Sequence, residues 1–238
     1  MSAERPSVRA GRHEAITHAM EDYLKTIYVL EEEHGRVSTQ AIAEHLRVQS
    51  PSVTNMLKRL ASLNLVHHRP YRGVTLTPAG RRLALEVIRH HRLLELYLSE
   101  ALGYSWDAVH EEADRLEHSI SEEMESRIDA VLGYPSADPH GHPIPTPEGD
   151  LPVNEATRLD HIGIGSRVTI ERVSDRDPEQ LRYLAALGLL PGVEVIVLDR
   201  LPFAGPVHVR IGDREHYLSL ELAQALFVVS ARAETGEC

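Results

Sequence analysis

Cysteine is almost absent from this sequence, which has one, Cys238, among its 238 residues. A single thiol cannot form a disulfide within the chain, and such usage favours a reducing compartment, so we expect a cytoplasmic protein. No apolar run approaches the roughly 20 residues that a bilayer-spanning helix needs. Residues 1–15 are polar and lack the apolar core of a signal peptide. Aromatic residues are also few, at 5%, while hydrophobic residues make up 42%, which is typical of a globular, helix-rich protein without a membrane partner.

Positive charge is scarce overall, because the net charge is −11. Its distribution is uneven: residues 36–82 contain eight Lys and Arg against one acid, whereas residues 83–149 contain four against fourteen Asp and Glu. The first segment therefore has a balance of +7 and the second a balance of −10. A basic segment indicates a polyanionic partner, and an acidic one indicates cations.

Apolar spacing and capping residues predict three short helices in the first third of the chain. Helical periodicity covers residues 20–34. Ser38 or Thr39 can cap the second helix, and Ser50 followed by Pro51 is typical of the N-cap and first turn of a third. Two short helices joined by a tight turn, the second rich in small polar residues, predict a helix-turn-helix.

Residues 65–76 follow with two extended segments around a turn at 71–73, which predicts a β-wing. Given the basic balance of this segment, we interpret the unit as DNA-binding rather than as a winged helix that serves protein contacts. Asn favours adenine edges, while Lys and Arg mostly neutralise phosphates. The predicted DNA-binding residues are Gln49, Ser50, Pro51, Ser52, Thr54, Asn55, Lys58, Arg59, Arg69, Tyr71 and Arg72.

The rest of the chain divides at a proline-rich segment. Two long helices are predicted before it, over residues 78–102 and 106–132. Residues 133–152 contain six prolines and three glycines, which is linker composition. Short β-rich segments then surround a short helix at about 178–187 and predict a small barrel. These strands are expected at 167–173, 193–198, 207–211 and 226–229.

The helix predicted over 106–132 carries the clearest sign of chemistry. Two imidazoles and two carboxylates share one face of it, because they lie three and four positions apart. They are His110, Asp114, Glu117 and His118. Crowding such groups costs desolvation and repulsion unless a cation lies among them. A second helix-spaced pair, His91 and Glu95, lies upstream, so we interpret the whole as a divalent-metal site between helices rather than as a solvated acidic face.

The other histidines are weak evidence, since the chain has fifteen. A lone surface histidine usually has no ligand role, and we expect none for seven of them. They are His67, His68, His90, His140, His142, His208 and His216.

Five motifs occur in a specific order: MEDYLKTIY at 20–28, SPSVT at 50–54, RHHRLLE at 89–95, LEH at 116–118 and DPHGHPIP at 138–145. Together they resemble the diphtheria-toxin-repressor family of metal-dependent transcription regulators. The resemblance covers roughly residues 16–230 and includes an SH3-like domain of the FeoA type around GLLPG at 188–192. It implies a homodimer whose metal-loaded form binds palindromic operator DNA.

The expected fold is mainly α with small β parts. The domains implied are a winged helix-turn-helix DNA-binding domain at 1–76, a helical metal-binding and dimerisation domain at 77–134, a Pro/Gly-rich linker at 135–158, and an SH3-like, FeoA-type β-barrel at 159–231.

The resemblance also implies two metal sites. The primary site falls on Asp22, Asp114, Glu117 and His118. The ancillary site falls on His91, Glu95 and His110, with two further ligands from the C-terminal domain on Asp177 and Gln180.

Two departures from the family pattern bear on the metal. Asp22 and Asp114 stand where iron-responsive members have methionine and cysteine, and carboxylates in place of soft sulfur ligands favour manganese. Shorter manganese-responsive members have a bridging glutamate at the position of Lys25. A charged lysine cannot be a ligand, so we expect two separate mononuclear sites rather than a bridged dinuclear centre.

The function expected is a Mn(II)-activated repressor of metal-uptake genes, with an Fe(II)-responsive regulator of iron homeostasis as the alternative. A metal-dependent hydrolase is disfavoured, because the chain has no His-Glu-x-x-His signature. A hydrolase function would also leave the predicted winged helix unexplained. A winged-helix regulator that answers a small organic ligand, or a metal-buffering protein, stays open. We expect no enzyme.

Overall fold

The computed structural model describes residues 16–69, 73–152 and 155–231. They form two compact units, one from the residues up to 90 together with 147–149, and the other from 91–146 together with the residues from 150 onward. Across these described ranges, no helix combines the length and the apolar character that crossing a bilayer requires.

The first unit has the predicted winged helix-turn-helix. The inward face of its third helix is fully buried at Val53, Leu57 and Leu60, as the apolar spacing requires. The two strands of the wing pair antiparallel, with Val66 opposite Leu76. The elements are α1 (His18–His34), α2 (Thr39–His45), α3 (Ser50–Ser62), β1 (Val66–Arg69), β2 (Gly73–Leu76) and the first half of α4 (Pro78–Leu102).

A short polar side chain caps the start of α2, whereas α3 begins without a side-chain cap. Ser38 Oγ accepts a hydrogen bond from the N–H of Ala41 at 3.0 Å, so α2 has the predicted cap. The N-cap of α3 is Gln49 rather than Ser50. Gln49 keeps extended dihedrals (φ −78°, ψ 139°), so helical geometry already starts at Ser50.

The second unit contains the rest of α4 and two short helices, α5 (Val109–Leu116) and α6 (Glu122–Val131). We expected a single helix over residues 106–132. This prediction is wrong, because the helix is interrupted at residues 117–121. The break has a local cause: Ser121 has extended dihedrals, and its side chain accepts from the N–H of Met124, which starts a new helix. Glu117 therefore lies at the C-terminal cap of α5.

The C-terminal part of this unit is a six-stranded antiparallel sheet in the order β3-β8-β4-β5-β6-β7. The sheet is open rather than closed, so the predicted barrel is incomplete. Strand β7 and helix α8 were not predicted. The sequence of β7 is mostly polar, and Leu218 is the one buried residue among its five, so this strand has no clear apolar pattern. The elements are β3 (Thr157–Arg158), β4 (Arg167–Val173), α7 (Pro178–Leu187), β5 (Glu194–Arg200), β6 (Val207–Ile211), β7 (Arg214–Leu218), α8 (Leu220–Ala225) and β8 (Leu226–Ser230).

Candidate metal centre

Three of the predicted ligands meet between α4 and α5. His91 and Glu95 lie one turn apart on α4, and His110 lies on the first turn of α5. Glu95 Oε1 is 3.0 Å from His91 Nε2 and 3.0 Å from His110 Nδ1, and these two nitrogens are 3.1 Å apart. We call these three residues the α4–α5 cluster. His91 and Glu95 are buried, so their polar atoms have little access to water.

The second ring nitrogen of His91 faces two further predicted ligands. His91 Nδ1 is 3.2 Å from Asp114 Oδ1 and 2.5 Å from Glu117 Oε2. Glu117 is only 2% exposed, which makes an ionised carboxylate there costly without a cationic or hydrogen-bonding partner. The His91 ring therefore lies between Glu95 on one side and Asp114 with Glu117 on the other, so the predicted ancillary and primary donors of the second unit are immediate neighbours.

The predicted primary site draws on both units. Asp22 lies on α1 of the first unit, whereas Asp114, Glu117 and His118 lie in the second. His118 Nε2 is 3.5 Å from Glu117 Oε1, so those two donors are adjacent. The four-residue site as a whole stays a prediction.

Four donors that the sequence did not suggest lie beside Glu95. We call them the loop cluster: Asp138, His140, His142 and Asp175. His140 Nδ1 is 3.7 Å from Glu95 Oε2, and His142 Nδ1 is 3.3 Å from Asp138 Oδ2. Asp175 Oδ2 lies 3.8 Å from His142 Nδ1 and 3.7 Å from His110 Nδ1. His140 and His142, for which we expected no ligand role, are thus part of the candidate centre.

Asp177 and Gln180, the ligands implied for the C-terminal domain, lie at the start of helix α7. Asp177 is the N-cap of α7, where its Oδ1 accepts from the N–H of Glu179 at 2.8 Å and from that of Gln180 at 3.4 Å. An aspartate before a proline at a helix start is typical of this role. Asp175, two residues earlier, is the carboxylate that faces the histidines.

Backbone contacts hold the loop cluster in place. Asp138 Oδ1 accepts from the N–H groups of His140 and His142, at 2.8 and 2.9 Å. His140 Nε2 is 2.9 Å from the carbonyl oxygen of Trp106, so Nε2–H donates there and Nδ1 is left for a ligand. The carbonyl oxygen of His140 accepts from the N–H of Val173 at 2.8 Å, which fixes the loop against β4.

Gly141 permits this close approach. Its φ is +87°, and a Cβ built on it would lie 2.0 Å from the carbonyl oxygen of Glu171. We expect Gly141→Ala to lower the free energy of unfolding of the second unit by at least about 2 kcal/mol, because left-handed strain and a backbone clash add. Gly165→Ala is the matched control, since Gly165 has a φ of +83° and nothing within 4 Å of its Cβ position. Denaturant unfolding followed by circular dichroism measures both, and equal losses would show that the clash has no role.

The buried polar atoms of this region test whether a cation fits. Within the described part of the chain, four of them have no hydrogen-bond partner: Glu95 Oε2, Asp138 Oδ2, His140 Nδ1 and His142 Nδ1. Leaving one such atom unsatisfied costs about 1–3 kcal/mol, more if charged. All four belong to Glu95 and to the loop cluster beside it, and all are carboxylate oxygen or imidazole nitrogen, which divalent first-row ions accept. The residues therefore fit a divalent metal ion.

Protons balance the charge of these groups when no cation does. Burial opposes ionisation of Glu95, yet His91, His110 and His140 hold the pKa of its carboxyl well below the usual range. Burial likewise opposes protonation of His140, but the negative charge of Glu95, with that of Asp138 and Asp175, raises its pKa to about 9. The pKa of His110 is also raised, since Glu95 and Asp175 outweigh its burial. Metal binding must then displace protons from histidines.

The predicted DNA-contacting face of the first unit is open to solvent. Thr54 is half-buried and donates its hydroxyl to the carbonyl oxygen of Ser50 at 3.1 Å. Tyr71 and Arg72 lie outside the described residues. The remaining predicted residues are exposed: Gln49, Ser50, Pro51, Ser52, Asn55, Lys58, Arg59 and Arg69. Their role in DNA contact stays a prediction.

Comparison with known proteins matches three consecutive parts of the chain. Residues 15–74 match "Iron dependent repressor, N-terminal DNA binding domain", residues 77–146 match "Iron dependent repressor, metal binding and dimerisation domain", and residues 157–230 match the FeoA domain. The diphtheria toxin repressor of Corynebacterium efficiens is 37% identical over 75% of this chain and 82% of its own length. The iron-dependent repressor IdeR of Mycobacterium leprae is 34% identical over 87% of this chain and 95% of its own length.

Solved structures give the same picture. A manganese-dependent transcriptional repressor in complex with manganese is 42% identical, with a TM-score of 0.85 over 89% of this chain and 100% of that one. The manganese regulator SloR is 33% identical, with a TM-score of 0.76 over 89% of this chain and 98% of that one. The similarity thus extends over the DNA-binding, helical and C-terminal parts together.

Proposed function

Since this chain belongs to the diphtheria-toxin-repressor family of metal-dependent transcriptional repressors, we propose that it is a Mn(II)-activated repressor of metal-uptake genes. It binds palindromic operator DNA as a metal-loaded homodimer and works in the cytoplasm. Family members are DNA-binding repressors and not enzymes, so the hydrolase alternative is set aside.

The observation that carries metal dependence is the group of buried, unpartnered donor atoms around Glu95, within the described residues. The donor types support manganese over softer ions, because each is a carboxylate oxygen or an imidazole nitrogen. The chain's one cysteine, Cys238, lies outside the described residues. Relatives that are named for manganese support the same choice.

An Fe(II)-responsive regulator of iron homeostasis is the second candidate. Relatives that are named iron-dependent favour it. Imidazole and carboxylate donors accept Fe(II) as well, and the metal that fills such a site in the cell depends on availability as much as on the ligands. Both candidates share one mechanism.

The mechanism proposed rests on mutual repulsion among carboxylates. Asp114 and Glu117 both face His91 Nδ1, and Asp22 of α1 would add a third carboxylate from the DNA-binding domain. A bound divalent ion supplies the positive charge that these groups need to share one site. Asp22 would then tie α1 to the dimerisation domain. In a dimer this fixes the spacing of the two α3 helices to half-sites about 34 Å apart.

Fluorescence anisotropy with promoter DNA tests the proposal. At one fixed salt concentration, we expect specific binding to strengthen by on the order of 100-fold when Mn(II) or anaerobic Fe(II) is added to metal-free protein. The ion that acts at the lower free concentration ranks the two candidates. Tight binding that is indifferent to metal and to chelator would leave a winged-helix DNA binder without metal control.

Asp22→Ala separates the primary site from the rest. We expect it to abolish the metal-dependent gain in operator affinity, because α1 loses its link to the metal, while the dimer persists. Glu21→Ala is the control, since it removes the same charge from the neighbouring position of α1. Anisotropy gives the affinity and analytical ultracentrifugation the dimer. An Asp22→Ala protein with unchanged metal response would contradict the role of this residue.

A further inference from the structure

A surface depression lies between the β-wing and the turn that joins α1 to α2. Its volume is about 370 Å³, and its walls are Arg36 of the turn together with His67, Arg69, Gly73 and Thr75 of the wing. We call it the wing pocket. A second depression of about 220 Å³ adjoins it and shares Arg36, Arg69 and Gly73. Of the residues that line the wing pocket, the predicted DNA-contacting set contains Arg69 alone.

A glycine brings the two walls of the wing pocket together. The N–H of Val74 donates to the carbonyl oxygen of Val37 at 3.0 Å, so the segment before α2 pairs with β2. A Cβ built on Gly73, whose φ is +85°, would lie 2.7 Å from that oxygen and 3.2 Å from Cγ of Arg36. Because residue 73 has no side chain, the stem of Arg36 lies directly against the wing backbone.

The wing is also fixed to its neighbouring helices. Glu31 of α1 accepts a hydrogen bond from the N–H of Leu76 at 2.8 Å, and its other oxygen pairs with Arg81 of α4 at 3.1 Å. Both walls of the wing pocket are therefore held by contacts that do not involve a ligand. A site whose walls are already ordered costs a ligand little entropy on binding.

The wing pocket is cationic. Arg36 and Arg69 are both exposed, and within the described residues neither guanidinium has an ion pair or a hydrogen bond. No carboxylate is found among the described residues that line either depression. Two guanidinium groups on the walls of one depression repel each other unless an anion lies between them. The arrangement therefore favours an anionic ligand.

The donors of the wing pocket suit a phosphate group. A guanidinium presents its N–H groups in a planar fork that matches two phosphate oxygens. The hydroxyl of Thr75 and the imidazole of His67, which stand opposite each other across the two strands, offer further donors. In a DNA-binding domain the phosphates at hand are those of the duplex backbone, which take half to two-thirds of the hydrogen bonds in protein–DNA complexes.

We propose that the wing pocket binds one phosphate group of the DNA backbone, with Arg36 and Arg69 on either side of it. The inference rests on the proposed DNA binding and adds Arg36, His67 and Thr75 to its contacts. Arg36 belongs to the basic segment at 36–82 but lies outside both the recognition helix α3 and the wing strands. The contact fixes the wing on the duplex and carries no sequence information of its own.

The salt dependence of DNA binding by the Mn(II)-saturated protein tests the contact. Arg36→Gln should weaken binding to promoter DNA by on the order of 10-fold and reduce the slope of log affinity against log salt by about one. Binding to DNA of unrelated sequence should weaken by the same factor. Arg82→Gln is the matched control, since it removes an exposed arginine of α4 that does not line the pocket and should keep the wild-type slope. Equal slopes for the wild type and Arg36→Gln would overturn the proposal.

Neutral methylphosphonate linkages locate the phosphate group. Each one replaces a single backbone phosphate of the promoter duplex and removes its charge. We expect one linkage in each half-site whose replacement weakens binding by the wild type but not by Arg36→Gln, because non-additive losses identify groups in direct contact. Arg36→Lys keeps the positive charge and should restore most of the sensitivity to that linkage. If every linkage has the same effect on the wild type and on Arg36→Gln, Arg36 has no phosphate partner and the proposal is wrong.

Inorganic phosphate separates a DNA contact from a site for a free anion. In the absence of DNA, phosphorus NMR titration should show no difference between the wild type and Arg36→Gln at phosphate concentrations that leave promoter binding intact. Saturable phosphate binding that needs Arg36, together with equal salt slopes, would assign the pocket to a free anion and overturn the DNA contact. Because metal is saturating throughout, the salt slope can stay unchanged while metal dependence holds, and it can change while metal dependence fails. The two proposals therefore fail independently.

Discussion

Glu95→Gln should weaken divalent-metal binding by the second unit by on the order of 100-fold or more. The carboxylate is fully buried, and within the described residues it is the group that His91, His110 and His140 share. A glutamine of the same shape keeps the volume but has no charge to offer either to a cation or to protonated histidines. Both faces of the candidate centre therefore lose their common ligand.

The effect on stability follows from mass action. Mn(II) at 1,000 times its Kd stabilises a folded protein by about 4 kcal/mol, and a 100-fold higher Kd reduces this to about 1.4 kcal/mol. Thermal unfolding with and without Mn(II) measures the difference, and calorimetric titration gives the Kd directly. Glu100→Gln, on the exposed side of the same helix, is the control and should keep the full metal-dependent shift. A Glu95→Gln protein that keeps it too would show that this carboxylate is not a ligand.

The sequence predicts the α4–α5 cluster well, and the reason is periodic geometry. His91 and Glu95 are four residues apart on a helix whose bounds, 78–102, agree with those observed. Side chains at this spacing meet whatever the tertiary structure is. The strands with clear apolar patterns, such as Arg167–Val173 and Val207–Ile211, were predicted for the same reason.

The loop cluster could not be predicted in this way, because no periodic rule relates a loop to a helix distant in the sequence. Residues 138–142 lie in a segment whose prolines and glycines indicate a linker. The available signal was the motif DPHGHPIP, which places an aspartate and two histidines within five residues. For Asp177 the sequence did hold a local signal. An aspartate directly before Pro178 is typical of a helix N-cap, and its side chain is then engaged with the backbone N–H groups of the helix rather than with a metal ion.

Metal affinity should rise steeply with pH, and the protonation of His140 determines this direction. Its pKa is raised to about 9, since burial is outweighed by Glu95, Asp138 and Asp175. At neutral pH the ring is therefore protonated in the metal-free protein, and a ligand nitrogen must first lose its proton. The lowered pKa values of Glu95 and Asp175 keep their carboxylates ionised, so they take up no proton in this range. Raising the pH toward 9 removes the competing proton and strengthens metal binding.

One displaced proton changes the apparent Kd by about tenfold per pH unit, or about 100-fold between pH 6 and pH 8. Protons on His110, whose pKa is also raised, add to this slope when they are displaced. Calorimetric titration of Mn(II) in buffers of different ionisation enthalpy counts the protons released. His140→Gln should bind more weakly at pH 8 but with a flatter dependence, because the neutral amide has no proton to lose. A wild-type affinity that is level from pH 6.5 to 8.5 would mean that the ion does not displace the His140 proton, and that the buried nitrogen facing Glu95 is a structural counter-charge rather than a ligand.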